Sequence, residues 1–309
     1  MITENYIGIV FALSASILWS ITVVTIRPIT NNISPFLINP IKNSIGFLLF
    51  LISFILFDIP LWYTQLIPYE YLIILLSGTL GMFLGDTIFI YALNKIGANR
   101  VAIVDAFSPV VIFIYSLILL PNQSLEFVQI IGFILTIIGL LILTNENDFE
   151  DIDPNIKIKG ILLVLGAMLC TGFGVVYLKT VLNRINETGY DIKLNLWVTA
   201  FRLIPGVLFS WILFLLQKNK LKKIKPLKLK QNHIPLIIAS VIGPFIALGC
   251  WILGYAFIDK PSIASIIGQS AVIFIILLSW FFLKESLTKL RILSAVLVFF
   301  GVILVSVNL

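Results

Sequence analysis

Two aspartates stand where hydrocarbon would be expected. Asp86 lies in FLGDTIFIYAL (83–93) and Asp105 in VAIVDAFSPV (101–110), both within long apolar runs. A charge at the bilayer centre costs about 2.5 kcal/mol or more even on lenient insertion scales, so each carboxylate needs a partner, a proton or water. Asp86 falls some ten residues before a connection near residue 96 and Asp105 about nine after it, which puts both ~13–15 Å from the same membrane face. Two carboxylates at one depth on consecutive helices can share a proton, or accept the ammonium of a substrate. Either role suits a site facing a central cavity. The plain alternatives are an interhelical hydrogen bond for Asp86 and, for Asp105, an ion pair with Arg100 nearer the surface.

Two cations occupy matching places elsewhere. Lys42 opens KNSIG (42–46) and Arg202 opens RLIPG (202–206). Lys42 is roughly six residues into its run, within snorkelling reach of the interface. Arg202 is roughly nine residues in, ~13 Å deep, where a guanidinium needs water, an anion or an internal partner. It could clamp a substrate carboxylate with two parallel hydrogen bonds. An internal salt bridge, or a carbonyl cap on a helix bent at Pro205, would also satisfy it.

Around these charges lie polar and aromatic candidates. Gln269 and Ser270 are set at mid-depth, able to hydrogen-bond a substrate or to tie helices together. Trp19, Tyr91, Phe173, Tyr177 and Trp251 fall within apolar runs and would suit apolar or aromatic cargo, with cation–π help for amines. Pro109, Pro205 and Pro244 sit inside runs, where each frees a carbonyl and bends the helix. Ala12, Ser16 and Ser20 form one small-residue stripe and Ala264 with Gly268 another, both reading as close helix contacts.

The elements that hold these residues follow from composition. Of 309 residues, 60% are hydrophobic and 12% charged, with a mean hydropathy of +1.09. That is far from the ~25% charged of soluble domains and defines an all-α integral membrane protein in the cell membrane. Apolar runs of bilayer length fall near 6–26, 36–57, 70–93, 98–120, 125–144, 159–182, 193–216, 234–257, 262–283 and 288–308, giving ten expected transmembrane helices. The N-terminal MITENY has no basic segment before its apolar run, so that run reads as a retained helix. The connections 145–158 and 217–233 are acidic and strongly basic, respectively.

The halves repeat. SGTLGMF (77–83) matches ASVIGPF (239–245), PNQSLEF (121–127) matches LKESLTK (283–289), and Gly139 falls on Gly301. Gly8 falls on Gly160, Ala15 on Ala167, and Arg27 on Lys179. Repeats of five helices each must enter the membrane in opposite senses. The expected organisation is a first repeat over 1–144, an acidic connection over 145–158 and a second repeat over 159–309. Inverted repeats place a small-molecule site near the midplane, where they meet.

GDTIFIYALNKIGANRVAIVDAFSPV (85–110), the repeated ESL/QSL turns and the glycine-containing apolar endings together resemble the drug/metabolite transporter superfamily, in its EamA-type ten-helix members. The resemblance covers nearly the whole chain. It implies ten helices around a central cavity, moving a small metabolite or amino acid by alternating access, with Trp19 facing the repeat interface. It departs in one respect: the related small multidrug exporters use a glutamate in their first helix, whereas runs one and six here contain no acidic residue.

Other classes lack a basis. The single histidine, His233, ends the basic connection, and no nucleotide-binding or hydrolase motif is present. Cys170 and Cys250 lie in apolar runs and give no disulfide or metal framework. The reading is therefore a secondary transporter, an exporter, with protons as the coupling ion, no cofactor, no metal, no nucleic-acid partner, and a monomer or homodimer in the bilayer. The alternative is a membrane-embedded sensing protein that retains a carrier fold. Arg27, Lys95, Arg100 and the seven lysines between 218 and 230 lie on odd-numbered loops, which predicts that side as cytoplasmic and both termini outside.

Overall fold

In lipid every backbone polar group must be satisfied internally, and a chain this apolar answers with helices. The computed structural model describes residues 2–120, 127–144, 152–187, 189 and 191–306. Its helices are α1 (Ile2–Ile29), α2 (Pro35–Leu56), α3 (Pro68–Ile96), α4 (Ala98–Leu119), α5 (Phe127–Thr144), α6 (Pro154–Ile185), α7 (Ile192–Leu215), α8 (Lys230–Phe257), α9 (Pro261–Leu283) and α10 (Lys289–Ser306). Among the described residues eight of these, all but α5 and α10, are long and apolar enough to cross a membrane. The other two expected spans are occupied by helices of 18 residues each that pack on one another.

Several helices outrun their apolar cores. α6 begins at Pro154 rather than near 159, because Asp153 caps it by accepting from the Asn155 amide at 2.7 Å. α3 starts at Pro68 and ends at Gly97, whose φ of 80° turns the chain directly into α4. Across that corner the Glu285 carboxylate accepts from the Ala98 and Asn99 amides, each at 2.9 Å. A carboxylate at a helix N-terminus satisfies orphan donors and the helix dipole together. The basic connection after α7 folds into a short helix, Lys220–Ile224, and a 3₁₀ turn, Lys225–Lys228.

Packing exchanges the two halves. α2 packs on α7 and α5 on α10, while α1 packs on α8 and α9 as α6 packs on α3 and α4. Each contact is therefore met by its repeat-related counterpart. Two glycines make the exchange possible. A Cβ on Gly46 would stand 2.8 Å from Pro244, and one on Gly206 would stand 2.7 Å from the Met82 Cβ. The two glycines match in the sequence repeat, and each lets its helix touch the other half.

The helices are interrupted in matching places too. α3 widens to a π-helix over Thr79–Gly85 and α8 over Ile242–Ala247, the two stretches that align as SGTLGMF and ASVIGPF. α4 breaks between Asp105 and Ser108, and α9 breaks at Gln269. Such interruptions are tolerated at membrane depth only where protein or a cavity receives the freed backbone groups.

Candidate functional site

These four interruptions surround one cavity. Its volume is about 170 Å³, and its walls come from α1, α2, α3, α4, α6, α8 and α9. Asp86, Asp105, Lys42, Trp19 and Gln269 all line it, so five of the eight candidates from the sequence converge there.

The π-helix of α3 ends at Gly85, so Asp86 opens the following α-helical segment with its carboxylate turned to the cavity. Lys42 comes from α2, and its Nζ lies 2.5 Å from Asp86 Oδ2. Lys42 is only 3% exposed. It does not snorkel: inside the bundle a carboxylate is closer than the headgroups, and each charge offsets the desolvation of the other. Asn39, about one turn before Lys42, and Asn43, next to it, donate to the Met82 carbonyl at 2.9 and 3.0 Å, binding α2 to the π segment.

Asp105 differs from Asp86. It ends the first part of α4, and the Ser108 hydroxyl across the break donates to its Oδ1 at 3.1 Å. Among the described residues no cation pairs with it. The pairing with Arg100 does not form, because Arg100 Nη1 donates to the Ile96 carbonyl at 3.0 Å, at the α3–α4 corner. The two carboxylates thus line one cavity in different states: one neutralised by an ammonium, the other held by a hydroxyl.

Aromatic rings make the apolar walls. Trp19 leans on Phe89 with centroids 5.4 Å apart, and Trp251 lies 4.7 Å from Tyr255. Gln269 stands at the break in α9, and its side-chain amide makes no protein hydrogen bond among the described residues. The adjacent Ser270 does something else. Its Oγ lies 2.7 Å from Ser16 Oγ, and Ser20 donates to the Ala271 carbonyl at 3.1 Å, so Ser270 ties α9 to α1. Tyr91 lies outside the lining, beside Phe36 at 6.1 Å and under Lys95 Nζ at 5.4 Å. Arg202 also lies outside it, one layer behind Trp251, whose ring centroid is 5.5 Å from its Cζ.

A cavity between two repeats, with charged residues inside the bundle and helix breaks in register, suits a membrane carrier. The comparisons agree. The model of the EamA-like transporter family matches residues 6–145 and again 158–307. The chain belongs to the EamA-like transporter family. It is thereby a multi-pass membrane transporter of the drug/metabolite type, built from two repeats. No curated protein matches it. A solved chain described only as a crystal structure of protein superposes with a TM-score of 0.66, covering 97% of this chain and 96% of its own at 16% identity, which speaks to the fold alone.

In this EamA-like transporter some cavity groups went unread in the sequence. Thr171 lines the cavity from α6, with its hydroxyl donating to the Ala167 carbonyl at 2.8 Å, and Tyr255 lines it from α8. Tyr255 falls one helical turn after Trp251, and that i, i+4 aromatic pair was the available signal. Thr171 gives none, since a threonine in a membrane helix normally bonds its own backbone.

Both ends of the bundle are joined across the repeats. Glu70 of α3 pairs with Arg184 of α6, and the Tyr69 and Tyr177 hydroxyls meet beside them. At the opposite end Glu285 lies 3.8 Å from Arg27 while it caps α4. The cavity lies between these two sets of contacts.

Proposed function

We propose that this chain is a secondary carrier, working as an exporter, for a small amine-bearing metabolite such as an amino acid, exchanged for a proton. The observation that carries the reading is the inequality of the two cavity carboxylates. Asp86 is already neutralised by Lys42. Asp105 faces the same space with, among the described residues, a single hydroxyl donor and no cation. A carboxylate so placed takes an ammonium or a proton, but not both. Cargo and proton then displace one another, and alternating exposure of the cavity converts a proton gradient into export. Trp19, Phe89 and Trp251 supply apolar and cation–π surface for the body of such a molecule. The end contacts, Glu70–Arg184 and Arg27–Glu285, are the bonds to be broken in turn as either side opens.

The test is exchange in proteoliposomes loaded with pools of radiolabelled amino acids and amines. An imposed pH gradient should drive solute against its concentration gradient without ATP. Asp105→Asn keeps size and hydrogen bonding but cannot titrate, so it should abolish gradient-driven movement, and Asp105→Glu should retain part of it. Full gradient-driven transport by Asp105→Asn would refute the exchange.

A further inference from the structure

The second repeat carries a buried charge without a hydrogen-bonded partner among the described residues. Arg202 lies ten residues into α7, ~15 Å from its start and near the middle of a membrane span. Its side chain is 0% exposed, and Nε, Nη1 and Nη2 make no hydrogen bond among the described residues. Buried charges are ordinarily paired, because desolvation without compensation is severe.

The repeat shows why this one is not. Lys42 occupies the matching place in the first half and pairs with Asp86. When ASVIGPF is aligned with SGTLGMF, the residue matching Asp86 is Leu248. The first repeat neutralises its own cation and the second does not. Asp86 attracts the guanidinium from a distance, but its carboxylate is bonded to Lys42 and makes no direct pair with Arg202.

What surrounds Arg202 is suited to an anion. The ring of Trp251 covers one side of the guanidinium at 5.5 Å and belongs to the cavity wall on its other side. The Tyr255 hydroxyl is buried beside Ser265, makes no hydrogen bond of good geometry among the described residues, and also borders the cavity. A Cβ at Gly81, in the π segment of α3, would lie 3.2 Å from Arg202 Nη2, so the glycine leaves that nitrogen clear.

We propose that Arg202 and the Tyr255 hydroxyl form a subsite for a monoanion of carboxylate size, separated from the main cavity by the Trp251 ring. A planar guanidinium offers a carboxylate two parallel donors, and the phenol adds a third. Movement of Trp251 is the path by which the anion enters. Two sources share this chemistry: the carboxylate of the cargo and a free anion such as chloride.

The experiment measures thermal unfolding of the purified full-length protein at constant ionic strength, with gluconate as the bulky reference anion. Chloride, acetate and each common L-amino acid are titrated separately. A filled subsite should raise the midpoint by about 2–4 °C and saturate, as ligand linkage requires. Arg202→Leu, which removes an unpaired buried charge, should fold at least as well and lose that rise. Stabilisation by an amino acid but not by its decarboxylated amine, with chloride and acetate inert, assigns the subsite to the cargo carboxylate. Stabilisation by chloride or acetate alone assigns it to a free ion. If no anion shifts the midpoint, or if Arg202→Leu responds as the parent does, the proposal is wrong. Because chloride and acetate carry no amine, their titrations do not depend on the role given to Asp105.

Discussion

Lys42 and Asp86 meet at 2.5 Å on the cavity wall, an ion pair between α2 and α3 inside a single repeat. Removing one member of a buried pair strands the other, at a cost of about 3–5 kcal/mol. Lys42→Met and Asp86→Leu should therefore each lower the midpoint of unfolding sharply. The double variant, in which neither charge remains, should recover most of the loss. A double variant as unstable as the sum of the singles would show that the two residues act independently.

Glycine at 46 and 206 is required by contact rather than by conformation. Each would place a new Cβ at 2.7–2.8 Å from the π segment of the opposite repeat. Overpacking of this kind costs about 1–3 kcal/mol. Gly46→Ala and Gly206→Ala should each destabilise by that order, and together more than either alone, measured by thermal unfolding in detergent.

The cap on α4 is a third check. Glu285 accepts from two amides of a helix start and lies beside Arg27. Loss of a side-chain cap costs about 0.5–2 kcal/mol. Glu285→Ala should lower stability within that range, and Glu285→Gln by less, since an amide oxygen still accepts one of the two bonds.

How far the sequence led can be read at particular residues. The depth of Asp86 and Asp105 followed from counting along helices, and both do reach the cavity. The partner of Lys42 did not follow, because a lysine six residues into a run can always be given to the headgroups. Only the close approach of α2 to the rest of the bundle decides otherwise. The place of Tyr91 outside the lining was already legible in its spacing. It stands five residues after Asp86, about 140° around a helix of 3.6 residues per turn, and so faces elsewhere. Gln269 and Ser270 were inseparable by pattern, and the break in α9 sends one to the cavity and the other to Ser16. The π segments left a trace only as aligned blocks, since a widened turn has no apolar periodicity of its own.

Sidedness is open to direct measurement. Lys and Arg collect at one end of the bundle, in the loops that also hold Arg27, Lys95 and the 218–230 lysines. Short cytoplasmic loops retain such charge because translocating it is unfavourable. Lys222 in that basic connection and Thr64 in the connection between α2 and α3 are both exposed and lie on opposite ends. With Cys170 and Cys250 replaced by alanine, Lys222→Cys should be shielded from an impermeant thiol reagent in intact cells and react after permeabilisation. Thr64→Cys should react in both conditions. The opposite pattern would place the lysines outside. Arg27–Glu285 would then be the external closure and Glu70–Arg184 the internal one, which would reverse the order in which the two must open for export.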